Sequence, residues 1–168
     1  MADILLTTLN ARYSHASLGL RYLLANMGAL AERTSLLEFT VKQRPIDIAE
    51  QLLAQHPRII GLGVYIWNAR ECEELVAILK QIRPGVMVVL GGPEVSYEQA
   101  GQPIVALADY VISGQGELAF ARLCERLLTG ERPPAKLITP EPYRLEALRL
   151  PYRPVSYTHL TLPTNREV

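Results

Sequence analysis

The chain has 168 residues, of which 49% are hydrophobic and 20% are charged, a composition typical of one globular domain rather than a disordered segment. Lysine plus arginine and aspartate plus glutamate both number 17, so the formal net charge is zero and no basic patch indicates a nucleic-acid partner. No apolar run reaches the 18 residues of a membrane span, and the first residues enter a strand pattern without a basic leader. We therefore expect no membrane partner, no signal peptide and a cytoplasmic location.

Strands alternate with amphipathic helices along the first part of the chain. Residues 3–9 form the first predicted strand, and Ser17 is placed to cap the helix that follows. The apolar run 58–64 is typical of a strand that helices cover on both faces. The other predicted strands are residues 35–40, 86–90 and 110–112.

This alternation indicates a parallel sheet between two layers of helices. Right-handed crossovers leave few topologies, of which the usual five-stranded one has the order 2-1-3-4-5. We therefore predict a flavodoxin-like or Rossmann-like α/β fold, a three-layer sandwich, over residues 1–130. The periodicity stops at Glu131, so residues 131–154 are predicted to be a proline-rich linker and residues 155–168 a non-native tail.

Ligands of an open parallel sheet bind beyond the carboxyl ends of its strands. The predicted loops at that edge are residues 10–17, 65–68, 91–96 and 113–117. Gly91 and Gly92 directly follow a strand, so a ligand could approach the backbone closely there, with a plain tight turn as the alternative. Tyr65 and Trp67 could stack on a flat ligand or pack the sheet edge. His15 could ligate a metal, bind a ligand or cap its loop.

The sequence lacks the residues that a dinucleotide site, a zinc site or a flavin-nucleotide site requires. The match of residues 114–119 to G-x-G-x-x-A follows the last strand rather than the first, and Glu117 would place a carboxylate where a pyrophosphate should lie. One histidine without neighbouring ligands cannot form a zinc site. The loop that begins with Asn10 has no glycine in its first four residues and is a poor phosphate loop for a flavin nucleotide.

Four motifs resemble the N-terminal cobalamin-binding domain of B12-binding radical SAM proteins, in the order of that family. They are LLTTLNARYSHASLGL at residues 5–20, GLGVYIWN at 61–68, LGGPEVS at 90–96 and DYVISGQGE at 109–117. The resemblance implies a corrinoid whose nucleotide tail lies along the sheet and whose corrin ring covers the strand ends. It implies cofactor contacts from Asn10, Tyr13, His15, Tyr65, Trp67, Asn68, Gly91, Gly92, Pro93, Glu94, Ser113, Gly114, Gly116 and Glu117.

The sequence departs from related families at three points. Cobalt-ligating domains carry D-x-H-x-x-G after the first strand; this chain keeps His15 but has Tyr13 and Leu18 in place of the Asp and the Gly. His15 is therefore the candidate metal ligand, with a His-off cobalamin as the alternative, because a ligating histidine normally contacts a carboxylate. Gly63 replaces the Ser of the ligated class.

The third departure is the absence of the C-x-x-x-C-x-x-C motif, so we expect this chain not to catalyse a radical step alone. The resemblance implies a parent radical SAM enzyme of the methyltransferase type, with its iron–sulfur cluster and SAM in a domain that follows in cis. Two alternatives stay open: a flavodoxin-like domain that binds another nucleotide cofactor, and an interaction domain that has lost its ligand.

Overall fold

The computed structural model describes residues 2–11, 17–96, 102–114 and 116–140. Within these residues the strands are β1 Ile4–Asn10, β2 Thr34–Thr40, β3 Ile59–Gly63, β4 Met87–Gly91, β5 Tyr110–Ile112 and β6 Leu137–Ile138. They form one sheet in the order β2-β1-β3-β4-β5-β6, and every neighbouring pair is parallel. The predicted α/β fold and the predicted order of the first five strands are confirmed.

Helices connect the strands and cover both faces of the sheet. They are α1 Leu18–Ala25, α2 Pro45–Leu53, α3 Ala69–Ile82, α4 Pro93–Ser96, α5 Pro103–Leu107 and α6 Glu117–Leu128, with a 3-10 helix at Gly28–Arg33. Ser17 caps α1 as predicted, since its Oγ accepts a hydrogen bond of 3.2 Å from the Leu20 N–H. Across the described part of the chain, no helix combines the length and the hydropathy that a membrane span requires.

Alternate residues of the buried strands pack into two separate cores. On one face, Ile60 and Val88 belong to the core that includes α2, α3 and α5. On the other, Ile59 and Val89 belong to the core that includes α1 and α6. Since side chains along a strand point to opposite faces in turn, a continuous apolar run supplies both cores at once.

The sixth strand differs from the predicted linker over residues 131–154. The carbonyl groups of Lys136 and Ile138 accept hydrogen bonds of 3.0 Å from the N–H groups of Val111 and Ser113. β6 has only two residues, and Leu137 is 44% exposed at the edge of the sheet. So short an edge strand carries no alternation that a sequence pattern could reveal. Residues 141–168, which include the predicted non-native tail, lie outside the described residues.

Candidate functional site

Three glycines leave a strip of sheet without side chains on the face of α1 and α6. Gly61 and Gly63 lie on the same face of β3 as Ile59, and Gly63 pairs with Gly91 of β4. A cavity of about 170 Å³ lies against this strip, between the sheet and the two helices. Over Gly63 and Gly91 the floor carries no side chains of its own, which lets a flat ligand approach the strands closely.

One cross-strand row shows why the cavity lies over β3 and β4. Glu38 of β2 pairs with Thr8 of β1, Thr8 with Gly63, and Gly63 with Gly91. Side-chain size decreases along this row, from glutamate in β2 through threonine in β1 to glycine in β3 and β4. α1 is held by an ion pair to Glu38 at one end of the row, and open space is left at the other.

The walls of the cavity come from α1 and from the segment that leads from β5 into α6. The lining residues there are Gly19, Leu20, Leu23, Ile112, Gly114, Gly116, Glu117 and Phe120. Phe120 limits the cavity toward the amino ends of the strands, because a Cβ built on Gly61 would lie 2.8 Å from its Cζ atom. A Cβ built on Gly91 would meet no heavy atom within 4 Å, so the space above Gly91 is open.

Two lining glycines have backbone conformations that other residues rarely adopt. Gly92 has a φ of 109° and Gly114 a φ of 74°. A Cβ on Gly92 would also collide with the carbonyl oxygen of Val64. Gly92 is therefore required by the turn itself, whereas Gly91 is free to take a side chain as far as the protein is concerned.

The loop after β3 is fixed by hydrogen bonds to β1. Asn68 is fully buried; its Oδ1 accepts a bond of 2.7 Å from the Tyr65 N–H, and its Nδ2 donates one of 2.9 Å to the carbonyl of Leu9. Trp67 Nε1 donates a bond of 3.1 Å to the same carbonyl. The Trp67 ring stacks on Tyr65 with a centroid distance of 4.6 Å and an interplanar angle of 5°. Asn68 and Trp67 thus position Tyr65 beside the cavity and do not line it.

A carboxylate joins the end of β1 to the start of α1. Glu38 Oε1 accepts hydrogen bonds of 3.0 Å from Asn10 Nδ2 and 2.7 Å from the Ser17 N–H, and Arg21 forms an ion pair of 2.8 Å with Glu38 Oε2. Burial alone would raise the pKa of Glu38, but the hydrogen bonds from Arg21, Asn10 and Ser17 and the charge of Arg21 lower it below its ordinary value. Asn10 therefore hydrogen-bonds Glu38 and does not line the cavity.

The structure brings six of the fourteen predicted contact residues to one cavity. Those that line it are Tyr65, Gly91, Gly92, Gly114, Gly116 and Glu117. Those described residues that do not line it are Asn10, Trp67, Asn68, Pro93 and Ser113. Tyr13 and His15 lie outside the described residues, as does the side chain of Glu94.

Sequence reasoning missed the apolar half of the cavity. Leu20 and Phe120 have the helical spacing of core residues, and nothing in that spacing separates a residue that lines a cavity from one that fills a core. Gly61 and Gly63 did carry a signal. Two glycines at alternate positions of a buried strand indicate a close approach to one face of the sheet.

Within the described residues, no three metal-ligating side chains cluster. Cys72 and Cys124 are free and buried, and burial raises the pKa of both thiols, with smaller contributions from the neighbouring Glu71 and Glu125. Both thiols are therefore protonated at neutral pH and pack as small side chains of the two cores. The glycine floor and the apolar walls instead fit a flat heteroaromatic group.

Residues 4–124 match the B12 binding domain family. Over 117 residues the chain is 31% identical to a 2-(S-pantetheinyl)-carbapenam-3-carboxylate methyltransferase of Streptantibioticus cattleyicolor, a match that covers 53% of this chain and 17% of that protein. Over 71 residues it is 34% identical to the cobalamin-dependent radical SAM methyltransferase TokK of Streptomyces tokunonensis, with 40% of this chain and 10% of that protein covered. The matched part is thus under a fifth of the length of either relative.

Two solved structures share the fold. One is the radical S-adenosylmethionine methyltransferase TsrM from Kitasatospora setae with cobalamin and a 4Fe-4S cluster bound, at a TM-score of 0.59 and 16% identity over 89% of this chain and 31% of that one. The other is a cobalamin-binding protein from Desulfitobacterium hafniense DCB-2, at a TM-score of 0.55 and 22% identity over 74% of this chain and 58% of that one.

Proposed function

The chain belongs to the B12-binding domain family, and from this premise we propose how it holds its cofactor. The cofactor is cobalamin. Its nucleotide tail lies in the cavity over Gly63 and Gly91, and its corrin ring covers the carboxyl ends of the strands. The observation that carries this proposal is the open space above Gly91 in a strand that is otherwise closely packed.

The chemistry of the cavity supports a heteroaromatic tail. Gly63 and Gly91 present backbone to one face of the ligand, while Leu20, Leu23 and Ile112 present aliphatic side chains from α1 and β5. An apolar slot with few polar groups is the usual form of a small-molecule site. The tail would exclude water from surfaces that neither helix covers.

Exposed apolar residues at the rim of the sheet are evidence for the proposed position of the corrin ring. Leu18, Ile66 and Trp67 are 50%, 80% and 48% exposed and follow the carboxyl ends of β1 and β3. Exposed apolar side chains that gather at one edge indicate a binding surface rather than a random distribution. His15 stays our candidate cobalt ligand, with a His-off cobalamin as the alternative. Loss of the absorption spectrum of histidine-ligated cobalt in His15→Ala would assign His15 to the cobalt.

We also propose that this domain presents its corrinoid to a radical SAM domain that follows in cis, where an iron–sulfur cluster and SAM are bound. The names of the curated relatives and the small share of their length that the chain covers support a methyltransferase-type parent. Residues 1–130 are then the cofactor domain and residues 131–154 the connection, of which residues 137–138 add a strand to the sheet. Free, buried cysteines fit a reducing compartment such as the cytoplasm.

Cobalamin supplies alkyl-transfer chemistry at its cobalt atom when it is bound. The residues of this chain serve to bind and orient it. Gly92 forms the turn that brings β4 to the rim, and Asn68 fixes the loop after β3. No general base or nucleophile is assigned to the cavity.

The test is retention of cofactor by the full chain. After incubation with hydroxocobalamin and desalting, we expect a retained corrinoid spectrum at about one equivalent per chain. Retention of flavin mononucleotide or NAD in place of cobalamin would favour another nucleotide cofactor. Retention of none of them would contradict the proposal and leave a ligand-free interaction domain.

A further inference from the structure

The Tyr65 ring bridges the sheet and α1 at the side of the cavity. Its Oη atom lies 3.3 Å from the position that a Cβ of Gly19 would take, and its Cε2 atom lies 3.3 Å from the corresponding position on Gly63. Both contacts are tighter than ordinary van der Waals contact for a Cβ. The ring therefore fits between β3 and α1 because both neighbours are glycines.

The ring is held in this position before any ligand binds. Tyr65 is fixed at its backbone by the hydrogen bond of 2.7 Å to Asn68 and at its ring by the parallel stack with Trp67. Trp67 is itself tied to the carbonyl of Leu9. A group whose position is fixed in advance loses little entropy when it contacts a ligand.

The hydroxyl of Tyr65 is chemically distinctive among the groups around the cavity. Among the described residues that line the cavity, only Tyr65 and Glu117 have side chains with polar atoms. Glu117 carries a carboxyl group, whereas Tyr65 carries a hydroxyl on an aromatic ring, which both donates and accepts hydrogen bonds. Among the described residues, the hydrogen bonds of Tyr65 are made by its backbone, and none uses the hydroxyl.

We infer that Tyr65 is a specificity-determining residue, whose hydroxyl hydrogen-bonds the nucleotide tail and selects corrinoids that carry a tail over those that lack it. A nucleotide tail offers ring nitrogen, ribose and phosphate atoms as partners for a phenol. The corrin ring lies over the strand ends, outside the cavity, and does not need this hydroxyl. This inference deepens the proposed function and rests on it.

The test compares hydroxocobalamin with cobinamide, the corrinoid without the nucleotide tail, on the full chain. Tyr65→Phe removes the hydroxyl and keeps the stacked ring. We expect this variant to bind hydroxocobalamin about three- to tenfold more weakly, the range of one net hydrogen bond, and to bind cobinamide with unchanged affinity. Tyr22→Phe is the matched control, because Tyr22 lies on α1 and does not line the cavity, and it should change neither affinity.

A second variant perturbs the same hydroxyl from the opposite side. Gly19→Ala places a Cβ 3.3 Å from Tyr65 Oη, within a helix where alanine is favourable. It should weaken hydroxocobalamin binding in the wild-type background and have a smaller effect in Tyr65→Phe, where that oxygen is absent. Gly85→Ala, which enters open space far from the cavity, is the control.

The outcomes separate the inference from the function on which it rests. Unchanged hydroxocobalamin affinity in Tyr65→Phe, or an equal loss for cobinamide, would overturn the role of Tyr65 while cobalamin binding stands. A wild-type chain that binds neither corrinoid would instead contradict the proposed function.

Discussion

Glycine has three different roles at this site. Gly61 makes room for the Phe120 ring, Gly92 provides a turn with positive φ, and Gly91 leaves open space. The sequence shows Gly91 and Gly92 as an undivided pair. Only the structure separates the one that the fold requires from the one that leaves room for a ligand.

Substitution of Gly92 should therefore lower the stability of the fold. Gly92→Ala would force a residue with a Cβ to adopt a φ of 109° and would drive that Cβ into the carbonyl of Val64. We expect a loss of at least about 2 kcal/mol in the free energy of unfolding. Urea denaturation without cofactor measures it, with Gly85→Ala as the control at a glycine that has open surroundings. A Gly92→Ala protein as stable as the wild type would show that the turn tolerates a side chain at this position.

Glu38 should make part of the stability dependent on pH. Its pKa is lowered in the folded chain from an ordinary value of 4.5, so its contribution is present above that value and is lost as the pH falls through the lower folded pKa. Glu38→Gln keeps the shape and removes the charge that pairs with Arg21. We expect the variant to be about 1 kcal/mol less stable at pH 7, and the difference from wild type to shrink toward pH 3. Urea denaturation at pH 7, 5 and 3 checks this; a difference that does not change with pH would contradict it.

At the scale of elements, β6 protects the edge of the sheet. The carbonyl groups of Lys136, directly before β6, and of Ile138 accept hydrogen bonds from Val111 and Ser113. The Tyr110 hydroxyl donates one of 2.9 Å to the carbonyl of Pro133. An open edge strand invites pairing with other chains. The segment after α6 therefore contributes to the sheet as far as Ile138.

A chain that ends at Arg132 should lose this protection. Compared with a chain that ends at Pro140, it forfeits at least four hydrogen bonds, and we expect it to be about 1–3 kcal/mol less stable and to self-associate. Thermal unfolding and size-exclusion chromatography check the two effects. Equal stability and an equal elution volume for the two chains would indicate that β6 contributes nothing.

The strength of a sequence signal depended on the length of the element. The long apolar run that became β3 predicted a strand covered on both faces, and the serine before α1 predicted its cap. β6 could not be predicted, because two residues at an edge show no period. Asn68 could be assigned to its loop but not oriented, since its bonds to β1 arise from tertiary packing. Of the three glycines along the cavity floor, only Gly91 was predicted as a cofactor contact, and the aliphatic walls resembled ordinary core.

At the scale of the whole molecule, the two faces of the sheet differ. The face of α2, α3 and α5 is filled by side chains such as Leu62, Leu75 and Leu90. The face of α1 and α6 has glycines where β3 and β4 reach the rim, so the helices cover it without filling it. The result is a cavity on this face, where a bound cofactor would supply the missing packing.

The most direct test fills the cavity above Gly91 with a side chain of the protein itself. Gly91→Val places an apolar side chain where nothing lies within 4 Å, and valine is favourable in a strand. Retention of hydroxocobalamin after desalting is measured together with the thermal midpoint, and Gly85→Val serves as the control. We predict binding that is weaker by about ten- to a hundredfold in Gly91→Val, with an unfolding midpoint no lower than that of the wild type and with wild-type retention in Gly85→Val. Wild-type retention of cobalamin by a folded Gly91→Val protein would contradict the placement of the nucleotide tail in this cavity.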